Sequence, residues 1–399
     1  MRTNSNIRKR SIGQTLLIIG WLVLFVSGCR GIRVEEVSTV SKSDWRQDGG
    51  NYSRDRTTSA VLPLPLKLDW RYNAAGAFGA GSPLFFGNTL LVGTRRGDMY
   101  AINIEKGRKK GSKRFAEAIE GALVTDGDIV FIPAALGKYN LMAYNLRTGK
   151  HLWRNKGIPF ETGLVIAADV IVGTDISGKV TAVDRFTGVE LWSFELPDLE
   201  STYSAPLLLP SGDIVITGEH GSLIRLDAQD GQLIWQTSIP TPIRVSPAIA
   251  DESLIVSGAR GVLFSIDLAT GKSIWESRMG SAEVRLASPA ASGGKIYLGT
   301  SEGKLFEIEA SSGVINWNFN GPDVFAAPPL VTDTHIFIGS MGRVLYAFNR
   351  ETSILDWEFK LDGRIKSAMA ARNGELFVLA EPRHVYKFIP AQRGQQNAD

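Results

Sequence analysis

The chain has 399 residues, 44% of them hydrophobic, with 42 glycines, a single cysteine and a formal net charge of +3. One cysteine excludes an intrachain disulfide, and so many glycines point to frequent turns rather than long helices. Four of the basic residues, Arg2, Arg8, Lys9 and Arg10, stand at the extreme N-terminus; without them 40 basic residues face 41 acidic ones, a balance that argues against nucleic-acid binding.

Residues 1–28 have the layout of an export signal. The basic start is followed by an apolar run from Leu16 to Val26, short for a membrane-spanning helix. Val26-Ser-Gly-Cys29 resembles the lipobox of bacterial lipoproteins, in which the cysteine is acylated and becomes the mature N-terminus. That resemblance implies lipidation at Cys29 and attachment to a membrane surface without spanning it. Arg30 follows, where Asp would favour inner-membrane retention, so the expected location is the periplasmic face of the outer membrane. The competing reading is an uncleaved anchor with an incidental cysteine. Residues 29–43 read as a polar tether, and Asp44 to Asn51 as a loop with Trp45 tucked against the body.

From residue 44 to 389 the chain is repetitive. Small or Pro pivots open a strand at Pro83, Ala122, Gly163, Pro206, Pro247, Pro289, Pro329 and Met369, spaced by 39, 41, 43, 41, 42, 40 and 40 residues. An aromatic residue closes each unit, at Phe115, Trp153, Trp192, Trp235, Trp275, Trp317 and Trp357. Eight residues before each of these tryptophans stands Asn145, Asp184, Asp227, Asp267, Glu309 or Asn349. Within a unit, Leu254–Gly258 and Val262–Ile266 are short β-branched or aromatic runs bounded by turn residues, and Thr270-Gly271 supplies a hairpin turn. About four strands in about 40 residues is the period of a propeller blade. The tryptophan reads as inter-blade packing.

The last unit lacks its final strand, while Leu66-Lys-Leu-Asp-Trp70-Arg-Tyr72 precedes the first pivot as a spare. Pairing the two predicts an all-β fold: an eight-bladed β-propeller closed by the N-terminal strand at about 66–72, with residues 390–399 as a disordered tail.

Gly178-Lys-Val-Thr-Ala-Val-Asp184-Arg-Phe-Thr187-Gly188-Val-Glu-Leu-Trp192 resembles the repeat of the PQQ-like β-propeller family over about residues 66–388. Two branches of that family bear on function. Quinoprotein dehydrogenases need an Asp base, a Glu and an Asn around calcium and often a vicinal disulfide, which a single cysteine cannot form. The BamB-like lipoproteins are eight-bladed scaffolds without cofactor that act in outer-membrane β-barrel assembly. The resemblance therefore implies no cofactor, no catalysis and protein partners. It departs from the branch at one place. The Leu-x-Leu-Arg segment before a Ser-Ala-Pro pivot is replaced by Asp198-Leu-Glu-Ser201, and the Asp-x-Asp of the next unit by Pro242-Ile-Arg244.

A search for other chemistry finds little. Gly299-Thr-Ser301-Glu-Gly303 has the letters of a nucleophile elbow but bridges two expected strands, which makes it a hairpin turn. His151, His220, His335 and His384 are scattered without ligand spacing. The repeated acids before the Trp turn read as turn hydrogen-bonders.

Two interaction surfaces remain. Counting three or four residues before each pivot gives glycines beside Phe78, then Phe160, Tyr203, Arg244, Arg285, Phe325 and Lys366, expected to line one mouth of the central channel as a partner-binding site. A basic stretch (Lys106, Arg108, Lys109, Lys110, Lys113 and Arg114) reads as a solvated loop that could meet anionic lipid or an acidic partner. The expected role is a lipid-anchored scaffold binding the outer-membrane β-barrel insertion machinery. The alternatives are a propeller binding a small ligand or glycan, and a degenerate PQQ-dependent dehydrogenase.

Overall fold

The computed structural model describes residues 31–34, 45, 47–51, 54–79, 81–157 and 160–391. Cys29, the export signal and the tail beyond Ala391 lie outside the described residues.

Alternating short apolar runs and tight turns fold into eight antiparallel sheets, as the period predicts. Blade three shows the pattern: Leu164–Ala167 innermost, then Val170–Thr174, Lys179–Asp184, and Glu190–Glu195 outermost. The inner three strands are apolar on both faces because each face packs on a neighbouring blade. The outer strand alternates exposed and half-buried residues. A bulge recurs in that outer strand. Ala182 pairs with Trp192 and Val183 with Glu190, which leaves Leu191 as the extra residue, half-exposed at 50%.

The tryptophans join consecutive blades. Four of the indole N–H groups donate to a carbonyl in the next blade: Trp153 to Arg185, Trp192 to Ala228, Trp235 to Leu268 and Trp275 to Ala310, at 2.9–3.2 Å. The ring lies flat on the turn glycine of that blade. At Gly271 (φ +71°) a methyl group would come within 2.9 Å of Trp235, so both the turn geometry and the ring require glycine. In blade seven Ser353 occupies this position at φ +60°, and the facing Trp317 donates instead to Glu307 Oε2 of its own blade at 3.1 Å.

Blade one departs from the expected repeat. The outer-strand residue paired with Ala101, in the place every other blade gives to tryptophan, is Gly111 and not Phe115. The vacant space is filled by Ile32, whose Cα lies 3.4 Å from where a Gly111 side chain would begin. Ile32 and Val34 are buried, the Val34 N–H donates to Leu146 O at 2.8 Å, and Tyr144 Oη donates to Ile32 O at 2.8 Å. Part of the stretch expected as tether is thus docked between blades one and two. The basic stretch is only partly a loop: Lys106 and Arg108 lie in the turn, whereas Lys109–Arg114 is the outer strand of blade one.

Closure follows the sequence expectation. Leu66–Asn73 pairs antiparallel with His384–Pro390 as the outermost strand of blade eight, in register from Leu66–Pro390 to Asn73–His384. Asp69 is the bulge residue there, and its carboxylate meets Lys387 Nζ at 3.0 Å; Glu375 meets the same amine at 2.6 Å.

The chain between Trp45 and Leu62 threads the central channel. Trp45 Nε1 donates to Ser82 Oγ in blade one, Arg54 Nη1 to Ala205 O in blade four, and Arg56 Nη1 to Pro289 O in blade six. The Val331 N–H of blade seven donates to Arg56 O, and Val61 O comes near Gly374 of blade eight. A segment touching five blades of a ring must lie inside it.

Candidate functional site

The chain entering each inner strand is extended, so consecutive side chains alternate between blade interior and mouth. The inward members are Ile119, Phe160, Thr202, Ile243, Val284, Phe325 and Ile365, all buried. The residue after each faces the mouth. A count of three or four residues before the pivot therefore mixes the two sides. Phe160 and Phe325, expected at the mouth, are 1% exposed and belong to the cores of their blades. Their rings enter space left by glycines at the ends of second strands; Gly299 leaves only 2.7 Å between a would-be Cβ and Phe325 Cβ. Phe325 also stands edge-on to Tyr346, 5.8 Å between centroids.

The other four expected residues are exposed at this end. Tyr203 is 50% exposed. Arg244 places Nε and Nη2 on Glu219 Oε1 at 3.0 and 2.7 Å, with Glu219 itself largely covered. Lys366 Nζ meets Glu381 Oε2 at 2.8 Å, and Arg364 reaches the same carboxylate at 3.7 Å. Arg285 makes no ion pair among the described residues; its backbone is clasped by Ser301 through N–H to Oγ at 3.0 Å and Ser301 N–H to its carbonyl at 2.9 Å.

The counterparts in the units preceding Tyr203 are acids. Glu120 pairs with Arg95 at 2.9 Å, and Glu161 accepts the Ile176 N–H at 2.8 Å. The mouth-facing residue is thus acidic in units two and three and basic in units five, six and eight, while Arg95 against Glu120 and Glu219 and Glu381 against Arg244 and Lys366 give each arc both signs. Sequence reading missed Glu120, Glu161 and Glu219. The signal for the first two was present in the strict alternation after the apolar residue. Below this mouth the channel is closed by Arg54 and Arg56, both buried. Burial pushes the Arg54 guanidinium down to about 10, a fall that the Asp48 carboxylate opposes. Their partners are the carbonyls at the pivots, which no sheet ladder satisfies.

The basic stretch lies on the outer rim, well separated in topology from the mouth. Lys110 is the bulge residue and donates to Thr89 Oγ1 at 2.9 Å. Lys113 Nζ lies over the Tyr144 ring at 4.5 Å and touches His151 Nε2 at 3.3 Å. Lys106, Arg108 and Lys109 are exposed, and Arg114 Nε donates to Ala116 O at 3.2 Å. His151 is held neutral to about pH 4 by burial and by the charges of Lys113 and Arg154.

Of the repeated acids, Asp184, Asp227 and Asp267 serve turns, whereas Glu309 pairs with Lys295 at 2.5 Å. Asp184 Oδ1 accepts the Thr187 N–H and O–H at 2.7 Å each, and Asp267 Oδ1 those of Thr270 at 2.7 and 2.6 Å. The Thr hydrogen bonds hold both carboxyls below the usual range. Gly299-Thr-Ser-Glu-Gly303 is the hairpin turn between Lys295–Gly299 and Lys304–Glu309. In the stretch that departs from the BamB-like docking segment, Pro197–Leu199 forms a single 3-10 turn and Glu200 is buried, accepting the Ser222 N–H at 3.4 Å.

The family model described as "Outer membrane protein assembly factor BamB" matches residues 38–205, 176–320 and 319–396. A protein of that name from Pseudomonas aeruginosa is 26% identical over 183 residues, 43% of this chain and 47% of the relative, so the matched part spans about half of that protein. The crystal structure of BamB from Moraxella catarrhalis superposes with a TM-score of 0.68 at 17% identity, covering 84% of this chain and all of that one. A europium-containing methanol dehydrogenase superposes with a TM-score of 0.71 at 13% identity over 88% of this chain and 98% of the other. At such identities the two superpositions speak to the fold alone.

Proposed function

The chain belongs to the family of outer membrane protein assembly factor BamB, and on that premise we propose that it is a non-catalytic scaffold in outer-membrane β-barrel assembly. It is anchored through a lipidated Cys29 at the periplasmic face of the outer membrane and binds protein partners of the insertion machinery at the channel mouth. The observation that carries this reading is the family match across nearly the whole propeller.

The chemistry of the chain agrees with a binding role. Of the acids repeated in the blades, Asp184, Asp227 and Asp267 are committed to turns and Glu309 to Lys295, and the channel beneath the mouth is filled by the chain's own backbone and two guanidinium groups. A quinone with calcium needs a converging carboxylate and amide set, and among the described residues no group of three or more His, Cys, Asp or Glu side chains could hold a metal ion; the single cysteine cannot form a vicinal disulfide. Tyr203 and Arg285 are the strongest contact candidates, one an exposed amphipathic ring and the other a cation without an ion-pair partner among the described residues. Arg244 and Lys366 must first leave Glu219 and Glu381.

Affinity purification of the full-length protein from detergent-solubilised membranes tests the reading. Barrel-insertion proteins should co-purify with the parent and be lost with Tyr203→Ala/Arg285→Glu. Recovery of none of them with the parent rejects the role, and unchanged recovery with the double variant rejects the mouth.

A further inference from the structure

We propose that the outer rim of blades one and two is a contact surface for anionic phospholipid, with the docked segment Gly31–Val34 fixing the lipid-bearing end of the chain beside it. The second clause rests on the Cys29 reading above; the first stands without it.

The argument begins with the missing tryptophan. Blade one has Gly111 where blades two to eight have an indole, and Ile32 fills the slot as an intramolecular replacement. The segment is held at both ends, by Tyr144 Oη on Ile32 O and by Val34 N–H on Leu146 O, both at 2.8 Å. Cys29 is two residues before Gly31, no more than about 7 Å of extended chain. A lipid on Cys29 would thus be joined to the chain two residues before the docked segment.

The rim has the charge for that position. Lys109 and Arg114 lie exposed on one side of the docked segment, and Lys150 and Arg154 on the other, with Arg33 exposed between them and its Nε on Arg147 O at 3.2 Å. Lys113 lies in the groove between the two strands, and its ammonium is shifted down by desolvation and by the charge of Arg154. Among the described residues Asp128 is paired with Arg147 at 3.7 Å, and in the sequence Glu35 and Glu36 follow the docked segment. Leu152, the bulge residue of the blade-two outer strand, projects 52% exposed between Lys150 and Arg154. An aliphatic tip framed by cations suits a headgroup layer better than the surface of an acidic protein.

The test compares two full-length chains, Cys29→Ser and Cys29→Ser/Lys109→Glu/Arg114→Glu/Arg154→Glu, in sedimentation with phosphatidylcholine vesicles and with vesicles that also contain phosphatidylglycerol. The apolar N-terminal run is common to both and cancels in the comparison. Phosphatidylglycerol should raise the partition of the first chain, and the charge reversals should lower it about a hundredfold, roughly fivefold for each cation lost. High salt should erase the difference. Equal partition of the two chains, or no dependence on phosphatidylglycerol, overturns the surface. In the otherwise native chain, Gly111→Trp should evict Ile32 and speed tryptic cleavage after Arg33; unchanged cleavage overturns the docked segment. Mass spectrometry of Cys29 reads the anchor separately, and an unmodified thiol would sink the second clause while leaving the vesicle result to decide the first.

Discussion

Removing Lys387 should open the ring at its seam. The amine is 5% exposed and lies between Asp69 of the N-terminal strand at 3.0 Å and Glu375 of blade eight at 2.6 Å. At an effective dielectric near 20, each contact carries a gross attraction of about 5–6 kcal/mol, much of it offset by desolvation of the three charges. Deleting one member of such a buried group, here by Lys387→Met, leaves two facing carboxylates and costs about 3–5 kcal/mol. For a cooperative body of about 330 residues with an unfolding entropy of about 2.1 cal/mol/K per residue, that loss lowers Tm by about 4–7 °C. Circular dichroism melts give the shift, and hydrogen exchange of Leu66–Asn73 shows whether the seam opens first. The triple variant Lys387→Met/Asp69→Leu/Glu375→Leu removes all three charges and should recover most of the loss. A single variant that melts with the parent, or a triple variant no better than the single, refutes the assignment of this cluster as the latch.

Two further outcomes follow from the inter-blade packing. Gly313→Ala places a Cβ about 2.5 Å from the Trp275 ring at φ +70°; the left-handed strain and the lost indole hydrogen bond together should cost about 2–3 kcal/mol in urea unfolding. Ser353→Gly, at the one turn where Trp317 has already turned away, should stay within about 1 kcal/mol of the parent. Folded His151 titrates near 4 against 6.5 unfolded. Above 6.5 both states are neutral and stability is full, and as pH falls toward 4 the unfolded chain takes up a proton that the folded one refuses. The urea midpoint should therefore fall on acidification through that interval, and His151→Gln should flatten the fall.

The blades were legible because their determinants are local and repeated. The Asp–Trp offset of eight residues marks a hairpin whose acid orders the turn and whose ring caps the next blade, and both ends of that relation are in one short stretch. The bulge was not legible, because one extra residue in an outer strand leaves the offset unchanged. It explains why Leu152, Leu191, Ile234 and Ile274 are each about half exposed in strands that otherwise alternate. The same position in blades six to eight carries Asn316, Asp356 and Asp69, bonded to Glu307, His335 and Lys387. Reading Phe115 as the blade-one aromatic failed for a related reason. An aromatic at roughly the right distance was present, whereas the true counterpart is a glycine whose missing side chain comes from residue 32.

The departures from repetition share one origin. Three duties that a perfect repeat would discharge within each blade fall here to the N-terminal stretch. Ile32 supplies an inter-blade ring substitute, Arg54 and Arg56 satisfy the pivot carbonyls inside the channel, and Leu66–Asn73 supplies the last outer strand. These contacts bind blades one, two, four, six and eight to a single continuous segment. The described parts of the stretch that the sequence presents as a tether and a loop therefore tighten the ring.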